Sequence, residues 1–192
     1  PDVISEIMLF GKTPEEAAAS PMIHFLGQGF MQSMDMVAAE LGFDVDREPV
    51  CTHEVALATR PIDSPNGPIA AGRVADQRFT WRYTVRGKPV ITVRVNWLMG
   101  EKNLDPPWNF GPGGERFEVE VSGDPASHVT FHGWHPESVA AGLERNPGIV
   151  ATANHCVSAV PYACAANPGI MTYLDLPLIA GRAAPDLHRT QL

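Results

Sequence analysis

The spacing of apolar residues changes near residue 50 and divides the sequence into a helical beginning and a β-rich middle. Apolar side chains recur every three or four residues from Pro21 to about Leu41, which predicts one long helix that ends before Gly42. Before it, Thr13-Pro14-Glu15-Glu16 predicts a helix start, because Thr caps helices and Pro suits the first helical position. A further short helix is expected around Ile4 to Phe10.

Two glycines, Gly27 and Gly29, lie inside the long helical pattern. Each costs about 1 kcal/mol relative to Ala in a helix interior. They therefore indicate that another group approaches the backbone closely. Tight packing on a neighbouring element and a ligand pocket beside Gly27 to Phe30 both satisfy this requirement.

From Val50 onward, apolar and polar residues alternate, which is the pattern of strands with one buried face. The alternation predicts about five antiparallel strands around residues 50–57, 78–85, 91–97, 117–121 and 129–131. Helical spacing returns at Ser138 to Leu143. The order of helices, antiparallel strands and helices predicts an α+β fold with helices on one face of the sheet.

The C-terminal stretch Asn146 to Gly181 contains two Asn-Pro-Gly turns on either side of an apolar run. Between the turns, Thr152 to Ala166 is built mainly from small apolar residues. Small side chains allow close approach, so this run predicts a helix that packs tightly on another part of the protein. Asp175, in Leu174-Asp175-Leu176-Pro177, is expected to have a structural role in turning the chain.

Composition narrows the class of protein. The chain has 192 residues, of which 44% are hydrophobic, which suits one globular domain with a substantial core. A net charge of -8 argues against binding to nucleic acid or to an anionic membrane. No apolar run approaches the roughly 20 residues that span a bilayer, and no leader precedes the first turn, so a soluble protein is expected.

Cysteine usage suggests the compartment. Cys51, Cys156 and Cys164 form an odd set without a Cys-x-x-Cys pair. They are interpreted as buried free thiols, and the expected location is the cytoplasm.

Residue chemistry alone does not define a reaction. His128, His132 and His135 lie close in sequence, but a spacing of four places two side chains about 13 Å apart on a strand, so no metal site is expected. The sequence has no Gly-x-Ser-x-Gly elbow, P-loop or Gly-x-Gly-x-x-Gly after a strand.

The polar faces of the strands carry charged residues, among them Arg82 and Arg94. This surface is interpreted as solvated or facing another subunit, with a catalytic role as the alternative.

Three sequence blocks resemble one known family. They are G-Q-G-F-M-Q-S with M-V-A-A-E-L-G (residues 27–42), G-R-V-A-D-Q-R-F-T-W (72–81) and T-A-N-H-C-V-S-A-V-P to P-G-I-M-T-Y-L-D-L-P (152–177). Together they resemble the C-terminal domain of the 2,4-diaminopentanoate dehydrogenase family, which includes native amine dehydrogenases and dihydrodipicolinate reductase-like proteins. The resemblance covers most of the chain from about Gly27 to Gly181.

The resemblance implies a substrate-binding and dimerisation domain of an NAD(P)H-dependent oxidoreductase that acts on amine, imine or carbonyl substrates. Residues 1–192 form that single domain, while the Rossmann domain that binds NAD or NADP lies outside these residues. The resemblance assigns Gln28, Phe30 and Met31 to the substrate. It assigns Thr152, Ala153 and Asn154, at the start of the small-residue helix, to the cofactor.

Further expectations follow from the resemblance. The catalytic residues are expected in the absent domain, so the chain alone is expected to be inactive, and the protein is expected to form a homodimer. Gln28 replaces the His that relatives commonly carry, and the Lys-x-Asp-x-Pro-Ser-Gly-Thr motif of true dihydrodipicolinate reductases is missing. The alternative to an oxidoreductase domain is a non-catalytic module that binds a small molecule or mediates dimerisation.

Overall fold

A computed structural model describes residues 7–46, 49–64, 67–111, 116–132, 140–142 and 147–179. These residues belong to two compact units, Pro1–Gly111 and Pro112–Leu192. The α+β class predicted from the sequence is confirmed. The helices expected at residues 4–10 and 138–143 lie partly or mostly outside the described residues.

The first unit begins with three helices, α1 (Pro14–Ala18), α2 (Met22–Gly27) and α3 (Met31–Glu40). The predicted start of α1 is confirmed as a reciprocal capping box. The Glu16 N–H donates to Thr13 Oγ1 at 3.1 Å, and the Thr13 N–H donates to Glu16 Oε2 at 2.8 Å. Both backbone donors are thereby satisfied at the end of a short helix.

The single long helix predicted from residue 21 to about 41 is wrong, because the chain leaves the helix at Gln28 to Phe30. In a continuous helix the Gly27 carbonyl would accept from the Met31 N–H. Here it accepts instead from the Trp81 indole, and the Met31 N–H donates to the Gln28 carbonyl at 3.3 Å. The two glycines therefore mark a break between helices that is held by a side chain from the sheet.

The sheet of the first unit has four antiparallel strands in the order β3-β2-β1-β4. Their bounds are β1 Val50–Ala58, β2 Val74–Val85, β3 Lys88–Leu98 and β4 Leu104–Asp105. Strand β2 is central and the most buried, which explains why its apolar residues outline the core.

The helices α2 and α3 cover one face of this sheet, as predicted. A core cluster forms between them and β2 from the buried residues Met34, Phe79, Trp81 and Tyr83, with half-buried side chains of β3 at its edge. A second cluster at one end of the sheet contains Ala56, Ala58, Ile69, Ala75 and Leu104. Loop residues, including Met99 and Trp108, pack against this second cluster.

The second unit contains a hairpin of β5 (Phe117–Val121) and β6 (Ser127–Phe131), followed by α4 (Pro147–Ala165). The hairpin is a separate two-stranded sheet, so the five predicted strands do not lie in one sheet. Its apolar residues, such as Phe117 (48% exposed) and Phe131 (54%), lie open on one side. Alternation identified these strands correctly but did not show what covers them.

Helix α4 also differs from the sequence-based expectation. Its apolar side chains Val157 and Val160 are 71% and 55% exposed, so tight packing of this helix within the described residues is not observed. The thiols of Cys51, Cys156 and Cys164 are exposed as well, which corrects the prediction that they are buried. Both errors came from treating apolar or small residues as core residues. Residue type alone does not show whether another part of the protein covers a side chain.

Candidate functional site: an arginine-rich sheet face

The residues predicted to bind substrate lie at the break between α2 and α3. Phe30 packs 5.1 Å from the Trp81 ring centroid, and Met31 is half-buried beside the same core cluster. Gln28 is exposed, and its Nε2 lies 3.0 Å from Nε2 of His24. Phe30 and Met31 therefore join the helices to the sheet, while Gln28 remains accessible on the surface.

The residues predicted to bind cofactor lie inside α4, in the second unit. Thr152, Ala153 and Asn154 are exposed. The expectation that they begin the helix is wrong, because α4 already starts at Pro147. Backbone N–H groups beyond the first helical turn donate to carbonyls of the same helix. Their backbone N–H groups are thus bonded within the helix, and the Ala153 and Asn154 side chains are exposed.

The polar face of the first unit's sheet lies opposite the face covered by α2 and α3, and it includes Arg82 and Arg94, which the sequence placed on a solvated or subunit-facing surface with a catalytic role as the alternative. Its central residues, here called the arginine face, come from three neighbouring strands: Glu54, Arg78, Thr80, Arg82, Arg94 and Asn96. In the strand register Arg94 lies opposite Thr80, and Arg78 lies opposite both Asn96 and Glu54. The alternating sequence placed these residues on polar faces, but only the register brings the three guanidinium groups together.

Arg78 is the best-fixed member of the arginine face. Its Nε donates to Asn96 Oδ1 at 2.8 Å, and its Cζ lies 4.1 Å from the centroid of the Trp108 ring. Burial lowers the pKa of Arg78 and the Arg94 charge acts in the same direction, while Glu54 opposes them. The guanidinium remains charged, because arginine does not lose its proton in proteins.

The arginine face concentrates positive charge in a chain whose net charge is -8. Three guanidinium groups share this face with one carboxylate, that of Glu54. Thr80 lies at the centre and is only 1% exposed, and the Thr52 hydroxyl donates to its carbonyl at 3.5 Å. Paired, planar arginine donors on a stiff sheet are suited to binding carboxylate or phosphate oxygens.

Other kinds of site find less support in the described part of the chain. No group of three or more His, Cys, Asp or Glu side chains there is arranged to hold a metal ion. His128 lies on β6 with its Nε2 3.9 Å from Glu118 Oε1, and His135 falls outside the described residues. Among the described helices, none combines the length and apolar character needed to cross a bilayer.

Comparison with known proteins defines the family. Residues 22–188 match the sequence profile of the 2,4-diaminopentanoate dehydrogenase C-terminal domain. The chain belongs to this family. The match includes the arginine face, the helix break and α4, and it confirms the resemblance seen in the three sequence blocks.

Two proteins called amine dehydrogenase are similar to this chain. One, from Streptomyces virginiae, is 30% identical over 146 residues, which cover 74% of this chain and 39% of the relative. The other is the solved structure of amine dehydrogenase from Mycobacterium smegmatis, with a TM-score of 0.62 and 20% identity, covering 93% of this chain and 47% of that one. The structural likeness shows a shared fold, and the chain spans less than half the length of each relative.

The C-terminal family motif forms a local turn after α4. The carboxylate oxygen Oδ2 of Asp175 accepts from the Thr172 N–H at 2.8 Å and from the Thr172 hydroxyl at 2.7 Å. These hydrogen bonds hold the pKa of Asp175 below its usual range. Asp175 therefore stabilises a local turn, and the expectation that this turn directs the chain back onto the nucleotide-binding domain stays a prediction. An open groove of about 390 Å³ beside the turn is lined by residues that include Asn167, Met171 and Leu176.

Proposed function

We propose that this chain is the substrate-binding domain of an NAD(P)H-dependent oxidoreductase that interconverts amines with imines or carbonyl compounds. The observation that carries the proposal is the family match over residues 22–188. Two relatives named amine dehydrogenase support the same class of reaction. The remaining part of such an enzyme is expected to bind the nucleotide and to supply the catalytic residues.

In this proposal the arginine face holds an acidic group of the substrate. The family is named after 2,4-diaminopentanoate, which carries a carboxylate as well as amines. Arg94 on β3 lies opposite Thr80, diagonal to both Arg82 and the fixed Arg78 of β2. They can anchor a carboxylate and thereby orient the amine-bearing carbon. Gln28, Phe30 and Met31 lie at the helix break, on the other face of the sheet from the arginine face, so they would not contact the same small substrate. Their substrate-binding role stays a separate prediction.

The exposed surface of α4 suits a nicotinamide ring. Ala153 offers little bulk, and the Asn154 side chain can both donate to and accept from a carboxamide, so the side chains present fit this group. When bound, a nicotinamide cofactor supplies or accepts the hydride of the reaction. Asn154 would orient it, and Thr152 borders the same surface. The exposed Val157 and Val160 on this helix are expected to contact the nucleotide-binding part of the protein, in a homodimeric enzyme.

The test is amine-dependent reduction of NAD⁺ and NADP⁺ by the product of the longest reading frame that contains these residues. The substrate panel should pair neutral short-chain amines with amines that carry a carboxylate. Activity with at least one amine is expected. A folded protein that reduces neither cofactor with any member of the panel would contradict the proposal and favour a non-catalytic module.

The role of the arginine face has its own test in the same assay. Arg94→Gln should raise KM for a carboxylate-bearing amine by roughly 10- to 100-fold, which corresponds to the loss of one charged hydrogen bond. KM for a neutral amine should stay unchanged. Arg60→Gln is the matched control, because Arg60 is an exposed arginine after β1 and outside the arginine face. Equal effects on both kinds of amine would exclude the assigned role.

A further inference from the structure

Asp76 is a buried carboxyl in the central strand β2, two residues before Arg78 and on the same side of the sheet as the arginine face. It is 0% exposed and lies opposite Ala56 on β1 and Leu98 on β3. Its Oδ1 accepts from the N–H groups of Met99 at 2.9 Å and Gly100 at 3.3 Å. Its Oδ2 is buried and has no hydrogen-bond partner among the described residues.

We propose that Asp76 is a proton-controlled latch for the loop of residues 99–103, which joins β3 to β4. The loop is held against the sheet while the carboxyl is protonated, and it loosens when the carboxyl ionises. An uncharged carboxyl leaves only a neutral oxygen or hydroxyl unpaired at Oδ2. An ionised carboxylate instead buries part of its negative charge at Oδ2 without a partner. The free-energy cost of burying this charge is considerably larger.

The surroundings of Asp76 favour the protonated form. Burial, together with the Glu101 carboxylate in the loop, raises the pKa of Asp76 to about 6, against the opposing effect of the two backbone N–H groups. On the same side of the sheet, β2 contributes Arg78 and β1 contributes Glu54. The nearest residues of β3 are the uncharged Asn96 and Leu98.

Strand β4 adds no counter-charge on this side, and of the loop's two charged residues, Glu101 and Lys102, it is Glu101 that shifts the pKa of Asp76. Strand β4 contributes the apolar Leu104, which packs with Ala56, while Asp105 lies opposite Leu57. Thus the unpartnered Oδ2 has no cation directly facing it in the described part of the chain. Opening of the loop to water is the available way to stabilise the ionised form.

The loop connects this carboxyl to the arginine face. A Cβ added at Gly100 would lie 3.2 Å from Cγ2 of Ile62, which shows that the loop is packed closely against its neighbour. Met99 packs against the same core cluster as Trp108, and Trp108 covers the Arg78 guanidinium. Loosening of the loop therefore removes support from Trp108 and makes Arg78 more accessible.

The direction of the pH effect follows from the raised pKa. The closed form binds a proton up to about pH 6, whereas an opened, hydrated carboxyl would lose it near 3.8. The equilibrium for closing therefore falls as pH rises from about 4 to about 6. Because the pKa values of the closed and open forms differ by about two, the equilibrium constant for closing falls by roughly 100-fold.

Hydrogen exchange of the Met99 and Gly100 amides in the 192-residue chain tests the latch. Their protection factors, corrected for intrinsic exchange, should fall by roughly 10- to 100-fold between about pH 4 and about pH 7. In Asp76→Asn, which keeps an oxygen acceptor but cannot ionise, protection should not change over this range. Asp63→Asn, at an exposed aspartate in the loop after β1, should behave like the wild type.

The chemical shift of the Asp76 carboxyl carbon, followed by NMR as a function of pH in the wild-type chain, gives an independent measurement. The midpoint of this titration is expected near pH 6. Constant protection in the wild type, or an unchanged pH dependence in Asp76→Asn, would overturn the proposal. If Asp76→Asn does not fold, the wild-type titration decides. A midpoint near 6 that coincides with the loss of protection supports the latch, and a midpoint at the ordinary aspartate value rejects it.

Discussion

At the scale of single residues, Trp81 connects the core to the helix break. Its ring is 0% exposed and packs between Phe30, at 5.1 Å, and Phe79, at 5.7 Å. Its indole N–H donates to the Gly27 carbonyl. One side chain therefore fills the centre of the core and fixes the point at which α2 ends.

Trp81→Phe should lower the free energy of unfolding by about 1 to 3 kcal/mol, because the partly buried Gly27 carbonyl loses its hydrogen-bond donor. Urea unfolding followed by far-ultraviolet circular dichroism measures the change. Trp97→Phe makes the same ring change at a half-buried position on β3 and should cost less. Equal losses in the two variants would show that the hydrogen bond to Gly27 contributes nothing.

At the scale of elements, the β2–β3 hairpin is tied to the segment after α3 by Asp46. The turn residues Arg86 and Gly87 have φ angles of 51° and 74°, which suit the tight turns of antiparallel hairpins. Their N–H groups donate to the Asp46 carboxylate at 2.7 and 2.9 Å, and the Thr84 hydroxyl donates to it at 2.8 Å. Asp46 therefore fixes the turn that aligns β2 with β3.

Asp46→Asn should lower the melting temperature at neutral pH, because the amide supplies only one oxygen and no charge. The hydrogen bonds hold the pKa of Asp46 below its ordinary 3.8. Its stabilising effect is therefore present above that value and is lost as pH falls through the lower folded-state pKa. The difference in melting temperature between wild type and variant, measured from about pH 7 down to about pH 2, should shrink in acid.

Asp44→Asn is the matched control, two residues away and exposed. It should change the melting temperature little at any pH. A difference between wild type and Asp46→Asn that stays constant in acid would contradict the assigned role of the Asp46 carboxylate.

The sequence predicted the helices and strands better than the contacts between them. Alternating residues identified the main strands, and Thr13-Pro14-Glu15-Glu16 predicted the start of α1, since both signals are local. The helix break was missed because it depends on Trp81, 54 residues beyond Gly27. The arginine face required the register that places Arg94 opposite Thr80, which no local pattern specifies.

At the scale of the whole molecule, the two units present different surfaces. The first has a sheet with a helix-covered core on one face and the arginine face on the other. The second exposes apolar side chains on the β5–β6 hairpin and on α4. The chain spans 39% and 47% of the two amine dehydrogenases it resembles. We propose that it works together with further polypeptide.

Val157→Ser tests whether α4 contacts such further polypeptide. Since Val157 is 71% exposed, the free energy of unfolding of the 192-residue chain should change by no more than about 0.5 kcal/mol. In the complete protein the same variant should lower the melting temperature by several degrees. Val157→Ile, which keeps an apolar side chain, should leave both proteins unaffected, and calorimetry provides the readout. Equal behaviour of Val157→Ser in the chain and in the complete protein would contradict the contact.

We propose that the chain serves an enzyme that transfers hydride between a nicotinamide cofactor and an amine-bearing carbon. The most direct measurement uses the complete reading frame, a carbonyl substrate with ammonium, and NAD(P)H carrying deuterium on the hydride-donating face of C4. Mass spectrometry of the amine product should find deuterium on the carbon that bears the new amine, because the cofactor delivers its hydride there. An amine product without deuterium at that carbon, from cofactor labelled on either face, would contradict the account.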